Sequence, residues 1–288
     1  MESRYIIGVD LGTTNSAVAY VDLTRRTSES PTVERFEIPQ LVAPGELGHA
    51  ATLPSFLYLP GPHDLPGGSL ALPWDATRDY AVGVMAREQG SKVPGRLVSS
   101  AKSWLSHAGV DRTSDILPWR APHEVDQVSP VEASARLLRH IREAWNERMA
   151  RDDADVRFER QHVVLTVPAS FDEVARELTV EAAQRAGISR LVLLEEPLAA
   201  FYAWLDGHEA VGQTSVRDAM QDGQIVLVCD VGGGTSDFSV IGIRREGDDV
   251  RFERLAVGDH LMLGGDNMDH ALGRQVEIEA AGGVGKLD

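Results

Sequence analysis

The chain has 288 residues, enough for one large or two modest domains, and its 43% hydrophobic content can form a sizeable core. Its 28 basic and 44 acidic residues leave a net charge of −16, which argues against nucleic-acid and anionic-membrane partners, because both bind through basic patches. No stretch reaches the roughly 20 apolar residues of a membrane helix and no signal segment is evident, so a cytoplasmic location is expected.

The first segment predicts a strand, an acidic turn and a second strand over residues 4–22. An apolar run leads into Asp10, and a second apolar run occupies residues 17–21. The turn between them holds Gly12, Thr13, Thr14 and Asn15. An acid at the end of a buried strand is costly unless a cation or hydrogen-bond donors compensate it. A magnesium ion carried by a nucleotide would do so, usually through waters.

The middle of the chain predicts smaller pieces. Residues 33–38 are expected to add a third strand, and the Pro- and Gly-rich residues 60–74 an irregular surface insertion. Residues 80–89 suggest a short strand followed by a helix. Residues 96–105 predict a helix with Lys102 beside its apolar stripe. A solvated lysine is the ordinary alternative for Lys102.

Ser129, Pro130 and Glu132 are typical of a helix start, and the helix is predicted to run to about Arg151. Its apolar stripe is read as core, not as a cofactor site. An alternating pattern follows, with strands over 162–167 and 191–194 and helices from Asp172 and Pro197. This order of strands and helices is typical of an α/β fold with parallel pairing.

A second strand–acid–turn unit begins at Ile225. Residues 225–229 predict a strand buried on both faces, with Cys229 as a buried and inert thiol. Asp230, three glycines, Thr235 and Asp237 follow, and then another apolar run. Backbone N–H groups at such a glycine turn can bind a phosphate. The repetition of the pattern predicts two similar halves that face each other across a phosphate site.

The rest of the second half is expected to hold a loop over 207–224, an antiparallel strand over 250–257 and a helix that begins near Met268. The glycine pair Gly264–Gly265 precedes that helix.

Four ordered motifs resemble the nucleotide-binding domain of the heat-shock-70 (DnaK-type) chaperones. They are D-L-G-T-T-N-S, V-P-A-S-F-D-E, E-E-P-L-A-A and D-V-G-G-G-T-S-D. The resemblance spans residues 5 to about 275 and implies an α/β, actin-like (ribonuclease H-like) ATPase fold. Lobe I would occupy residues 1–205, with an inserted subdomain at about 39–125. Residues 206–288 would be the first part of lobe II.

The resemblance also implies a bound ATP or ADP with Mg²⁺ and often K⁺. Asp10 and Asp230 would hold the hydrated metal. The implied nucleotide contacts are Gly12, Thr13, Thr14, Asn15, Gly232, Gly233, Gly234, Thr235, Gly264 and Gly265. The implied catalytic residues are Lys102, Glu196, Thr235 and Asp237. Pro168 and Arg176 match the proline switch and relay arginine of the family.

The sequence departs from the family pattern at several positions. Ser170 stands where the family has Tyr, Glu195 where it has Asn, and Ser236 where it has Phe. The late motif for adenine and ribose and the peptide-binding domain are absent from these 288 residues. We therefore expect a truncated lobe II that is less stable than lobe I or covered by a second copy in a dimer, and weak ATP binding with slow or absent hydrolysis.

Three functions follow from these patterns. The first is the ATPase module of a stress-response chaperone that acts in protein folding, whose client peptides, J-domain co-chaperone and nucleotide-exchange factor the resemblance implies. The second is a sugar- or acetate-kinase-like phosphotransferase. The third is a non-catalytic nucleotide sensor or actin-like filament protein.

Overall fold

The computed structural model describes residues 3–25, 32–209, 220–247, 249–259 and 261–282. In chain order the strands of these residues are β1 (Tyr5–Leu11), β2 (Asn15–Asp22), β3 (Glu34–Arg35), β4 (Ile38–Ala43), β5 (Glu46–Ala50), β6 (Thr52–Pro54), β7 (Leu57–Tyr58), β8 (Ala81–Val82), β9 (Leu97–Val98), β10 (His162–Val167), β11 (Leu191–Glu195), β12 (Ile225–Val231), β13 (Ser236–Glu246) and β14 (Asp249–Val257). The α-helices are α1 (Val84–Lys92), α2 (Ala101–Trp104), α3 (Pro130–Met149), α4 (Glu173–Arg185), α5 (Glu196–Glu209) and α6 (Gly265–Ala280). Short 3₁₀ turns occupy Pro94–Arg96, Ala154–Val156 and Phe158–Arg160.

The chain divides into two compact units, and the α/β class predicted from the sequence is confirmed. The first unit comprises residues 1–167 and 171–194, and the second comprises residues 168–170 and 195–288. The division into two lobes and an inserted subdomain stays a prediction.

The first unit is built on a mixed sheet with the strand order β11-β10-β1-β2-β3, in which β6 also pairs with β2. β1 runs parallel to β10 and antiparallel to β2. The predicted strand over 162–167 is confirmed, and the predicted third strand is reduced to β3 and the start of β4. The parallel pair brings the carboxyl ends of β1 and β10 to one edge, where Asp10 and Thr166 lie.

The helix α3 begins and packs as its sequence predicts. The Ser129 hydroxyl accepts a hydrogen bond from the Glu132 N–H at 3.1 Å, which caps the helix. Trp145 is fully buried, and its ring lies edge-on to the rings of Tyr5 and Tyr20. Its indole N–H donates to the Val156 carbonyl at 3.0 Å, so the polar atom of this core side chain is satisfied.

The predicted helix over residues 96–105 is wrong at its start. Leu97 and Val98 form β9, which pairs with β7, and only Ala101–Trp104 is helical. Strand pairing with Leu57 and Tyr58 satisfies the backbone there, and this tertiary contact outweighs the local helical pattern.

The second unit contains the antiparallel sheet β12-β13-β14 and the helix α5. Phe201 and Leu205 of α5 pack with Ile241 and Ile243 of β13 on one face of this sheet. The predicted strand at Ile225 is confirmed, but its burial on both faces is wrong. Its side chains alternate between half-buried and exposed, because the described residues of the unit cover only the face that meets α5.

The prediction for Cys229 is also wrong. The sequence predicts a buried, inert thiol, and the Cys229 side chain is exposed. Because alternate side chains of a strand point to opposite faces, Cys229 shares the outer face with Ile225 and Leu227, which are also exposed. The predicted strand over 250–257 is present as β14.

Two helix boundaries in this unit differ from those predicted. The helix α6 begins at Gly265, three residues before Met268, and α5 continues to Glu209, so its last three residues lie within the loop predicted over 207–224. Residues 210–219 of the predicted loop lie outside the described residues.

Candidate functional site

Asp10, the acid of the first hairpin, lies at the sheet edge where the parallel strands β1 and β10 end. Asp10 is the last residue but one of β1 and lies opposite Ala17 of β2. The Thr166 hydroxyl, from the neighbouring strand β10, donates to Asp10 Oδ1 at 2.9 Å. This bond fixes one carboxylate oxygen of a side chain that is otherwise exposed.

The turn after Asp10 is tight and contains an unsatisfied hydroxyl. A Cβ at Gly12 would lie 2.2 Å from the Asn15 carbonyl oxygen, so no other residue fits there without a shift. Thr14 Oγ1 is buried and has no hydrogen-bond partner among the described residues, while the Thr14 carbonyl accepts from the Ser55 N–H at 2.8 Å. An orphaned buried hydroxyl in a glycine turn is consistent with a ligand that supplies the missing bond.

Lys102 lies in α2 of the first unit and is 7% exposed. This burial excludes the ordinary alternative of a solvated helix lysine. A buried ammonium group requires acceptors or a counter-charge. Lys102 is therefore a buried side chain, a property that the sequence alone could not establish.

The second hairpin repeats the first. Asp230 is the last residue but one of β12, and the pairs Asp230–Asp237 and Val231–Ser236 close a four-residue turn. In the first hairpin the pair Leu11–Ser16 closes a turn of the same length. The two acids, Asp10 and Asp230, therefore hold the same position in two equivalent hairpins, one in each unit.

The glycine turn of the second hairpin is closed by its own backbone. The Gly232 N–H donates to the Thr235 carbonyl at 2.8 Å. A Cβ at Gly232 would lie 3.4 Å from the same oxygen, so this position is crowded like Gly12 but less severely. Both turns therefore use a glycine where the chain folds back on a carbonyl.

Asp237 is the feature that distinguishes the second hairpin. It is 6% exposed and lies directly opposite Asp230, whereas the equivalent position of the first hairpin is Ala17. The Ser170 hydroxyl donates to Asp237 Oδ1 at 2.8 Å. Ser170 stands where the related family has Tyr, so this departure allows a short serine side chain to hydrogen-bond to the motif acid Asp237.

Gly264 and Gly265 support the second turn. The N–H groups of Gly265 and Asp266 donate to the carbonyls of Gly232 and Gly233 at 3.0 and 2.7 Å. A Cβ at Gly264 would lie 2.4 Å from the Gly233 oxygen. Sequence reasoning missed this packing role, for which the glycine pair before a helix was the available signal. Direct nucleotide contacts from Gly264 and Gly265 stay a prediction.

Glu196 is the first residue of α5, immediately after Glu195 ends β11. The Glu195 carboxylate forms an ion pair with Arg254 of β14. Sequence reasoning missed Arg254, because the two residues are 59 positions apart and no local pattern connects them.

The predicted metal site uses two carboxylates, one from each hairpin. Among the residues that the structure describes, no group of three or more His, Cys, Asp or Glu side chains is arranged to hold a metal ion. The sequence predicts a hydrated ion carried by a phosphate, which needs fewer protein ligands. The sharing of one ion by Asp10 and Asp230 stays a prediction.

Comparison with known proteins identifies the family. The family model described as "Hsp70 protein" matches residues 79–281, which is more than half of the chain. The chain belongs to the Hsp70 family. The family resemblance read from the four motifs is thereby confirmed.

Curated relatives agree with this assignment. The chain is 30% identical over 284 residues to the chaperone protein HscA of Enterobacter sp. (strain 638), and 31% identical to that of Salmonella paratyphi C (strain RKS4594), with 97% of the chain covered in each case. It is 31% identical over 283 residues to the HscA homolog of Shewanella baltica (strain OS155 / ATCC BAA-1091), with 94% covered. The chain spans 38, 38 and 37% of these relatives' lengths. In the described part of the chain, no helix is long and apolar enough to cross a membrane.

Proposed function

We propose that this chain is the ATP-binding and ATP-hydrolysing module of an Hsp70-type chaperone, with an actin-like fold. The observation that carries the proposal is the repeated hairpin, with Asp10 and Asp230 at equivalent positions, in a chain of the Hsp70 family. The residues of the two hairpin turns would contact the nucleotide, and its state would control a client-binding region outside these 288 residues.

The residues of the two turns fit a polyphosphate. Thr14 offers a buried hydroxyl without a partner in the described chain, and Gly12 and Gly232 allow each turn to fold back tightly on its own carbonyl. Backbone N–H groups bind phosphate without adding positive side chains, which suits a chain of net charge −16. ATP, ADP and Mg²⁺ therefore remain the proposed ligands, with K⁺ as an expected companion.

The proposed roles divide among a few side chains. Asp10 and Asp230 would hold the hydrated Mg²⁺, which when bound neutralises charge on the phosphate oxygens. Lys102 would donate to a phosphate oxygen, and Glu196 would orient the attacking water. Asp237 would be the second acid of the second hairpin that takes part in catalysis, with its carboxylate held by Ser170. Thr235 would complete the second turn.

The partners follow from the family and are part of the proposal. The module would respond to a J-domain co-chaperone and a nucleotide-exchange factor, and would act on unfolded client peptides through the rest of the protein. A cytoplasmic location fits these roles and stays a prediction. The kinase-like alternative requires a base for a substrate hydroxyl, and a sensor requires binding without hydrolysis.

The test measures ATP binding by calorimetry and phosphate release in parallel. Asp10→Asn and Asp230→Asn should each lower magnesium-dependent binding by about tenfold or more, because each removes one of two carboxylates near the ion. Asp152→Asn, which changes an exposed acid outside the hairpins, is the matched control.

Each alternative predicts a different result. ADP formation that rises severalfold with a sugar or acetate, without a matching rise in free phosphate, would favour the kinase, because the phosphoryl group is then transferred to the acceptor. Tight nucleotide binding without hydrolysis would favour the sensor. Unchanged nucleotide binding in both hairpin variants would contradict the proposed site.

A further inference from the structure

We propose that Arg254 is a positioning residue for Glu196, and that it acts through the ion pair with Glu195. This inference rests on the proposed function, because it concerns the acid that would orient the attacking water. Glu195 ends β11 and Glu196 begins α5, so the pair of acids lies at a strand–helix junction. All three residues belong to the second unit.

Two adjacent carboxylates create an electrostatic problem at this junction. The Glu195 side chain is only 15% exposed, and a largely buried carboxylate is costly without a cation or donors. A second negative charge beside Glu196 would also disfavour an anionic substrate nearby. The guanidinium of Arg254 neutralises Glu195 through a charge-assisted hydrogen bond. Glu196 is the other acid of this junction, and we infer that the Arg254–Glu195 pair holds it in position.

A β-bulge aims Arg254 at Glu195. The register between β13 and β14 shifts between Val240 and Ile241: Val240 pairs with Ala256, but Ile241 pairs with Arg254, so Leu255 is the extra residue. Residues directly opposite one another in an antiparallel pair point to the same face of the sheet. Arg254 therefore shares the face of Ile241, which packs against α5.

Without the bulge the same sequence would place a different side chain at this position. In an uninterrupted register Leu255 would lie opposite Ile241, and Arg254 would point to the outer face. The extra residue instead places Leu255 on the outer face, where it lies against Gly242 and is 46% exposed. Bulges that re-aim a side chain are common next to functional sites.

The departure from the family pattern at Glu195 explains why this residue needs the ion pair with Arg254. Glu195 stands where the family has a neutral Asn, so the added negative charge needs a partner that Asn would not need. Arg254 supplies it from another strand. The two residues should therefore behave as one unit, so that the loss of Arg254 is harmful only while Glu195 is charged.

The test is a double-mutant cycle on ATP hydrolysis. Arg254→Gln should lower kcat about tenfold and change KM less than about twofold, because loss of the Arg254 cation from Glu195 disturbs Glu196 and leaves nucleotide contacts intact. The double variant Glu195→Asn with Arg254→Gln should recover kcat to within about threefold of the unmodified protein. Arg254→Lys should retain most of the activity. Arg251→Gln, on the same strand but in an exposed pair with Glu246, is the control.

Hydrogen exchange separates failure of this inference from failure of the proposed function. Arg254→Gln should accelerate amide exchange in the first turn of α5, and the added Glu195→Asn should restore it, whether or not the chain hydrolyses ATP. An Arg254→Gln variant that left both kcat and the amide exchange of α5 unchanged would overturn the inference. So would a loss of activity that the double variant does not recover, or one that only parallels the unfolded fraction. If the unmodified chain neither binds nor hydrolyses ATP, the proposed function fails, and the exchange data alone decide the role of Arg254.

Discussion

At the scale of single residues, His140 is a buried side chain of the first unit that is held in one protonation state. His140 is 2% exposed, and its Nε2 lies 2.8 Å from the Pro39 carbonyl oxygen. A neutral ring that donates from Nε2 satisfies this contact. Burial lowers the pKa of His140 to about 4, with the Pro39 contact opposing the shift and the Arg78 charge adding to it. The folded chain therefore keeps His140 neutral at pH values where an unfolded chain protonates it.

His140 should make stability depend on pH. Because its folded pKa is below the ordinary value of 6.5, the unfolded state binds more protons between pH 6.5 and pH 4. The free energy of unfolding should then fall by about 2–3 kcal/mol as the pH drops through this range. His140→Gln should remove this slope, whereas His63→Gln at an exposed position should keep it. Denaturant titrations from pH 4.5 to 7.5 measure it. An equal slope in the unmodified chain and the His140 variant would contradict this account.

At the same scale, substitution of Lys102 tests its proposed role in ATP hydrolysis. If it donates to a phosphate oxygen, Lys102→Ala should lower kcat by about 10²-fold, as loss of one electrostatic contact in a water-excluded site usually does. Nucleotide binding should change only a few-fold. The assay needs a form of the protein that hydrolyses ATP, and thermal unfolding must show that the buried position tolerates alanine. Lys92→Ala, in the last turn of α1, is the control. Wild-type turnover in the Lys102 variant would remove this residue from the mechanism.

At the scale of elements, the stability of helix α3 depends on how its first turn is capped. Its cap is a single contact from Ser129 to the Glu132 N–H, and the Glu132 carboxylate pairs with Arg136. Ser129→Ala should cost about 1 kcal/mol of unfolding free energy, because a helix N–H loses its acceptor. Ser91→Ala, near the end of α1, removes a serine that caps no helix start and should cost less. Equal stability of the two variants by denaturant unfolding would show that the cap is dispensable.

The elements also show what a sequence can predict. The strand β10, the cap of α3 and the two hairpins followed from local patterns, because period, caps and glycine turns are local properties. Residues 97–98 form a strand and not the predicted helix, because their strand partner lies about forty positions earlier, at Leu57. The bulge that aims Arg254 could not be predicted either, because a register shift depends on two strands at once.

The same limit applies to the candidate site. The motif acids and glycines could be named from the sequence, and the repeated register of the hairpins agrees with that interpretation. The burial of Lys102 and the bond from Ser170 to Asp237 could not, because they depend on contacts between distant segments. Sequence patterns identify candidate groups, and tertiary packing decides which of them lie together.

At the scale of the whole molecule, the two units differ in how much of their apolar surface is buried. The sheet of the first unit contributes to a large buried core, whereas the outer face of β12 exposes Ile225, Leu227 and Val231. The stripe formed by Met268, Leu272 and Val276 of α6 is also exposed. Exposed apolar surfaces of this kind usually meet a partner. The lower stability of this unit and its burial in a dimer both stay predictions.

Cys229 reports on this face, because it is the single cysteine of the chain and it is exposed beside Leu227. In dilute native protein, a small thiol reagent should modify Cys229 at a rate within about tenfold of that in denaturant, because the β12 face is open to solvent. If a second copy covers the face, modification should slow as the protein concentration rises, and sedimentation should show a dimer over the same range. Leu227→Lys should then abolish both effects, while Val192→Lys, at an exposed position of the first unit, should not. Slow modification that does not depend on concentration, in a protein that sediments as a monomer, would show that other residues of the chain cover the strand.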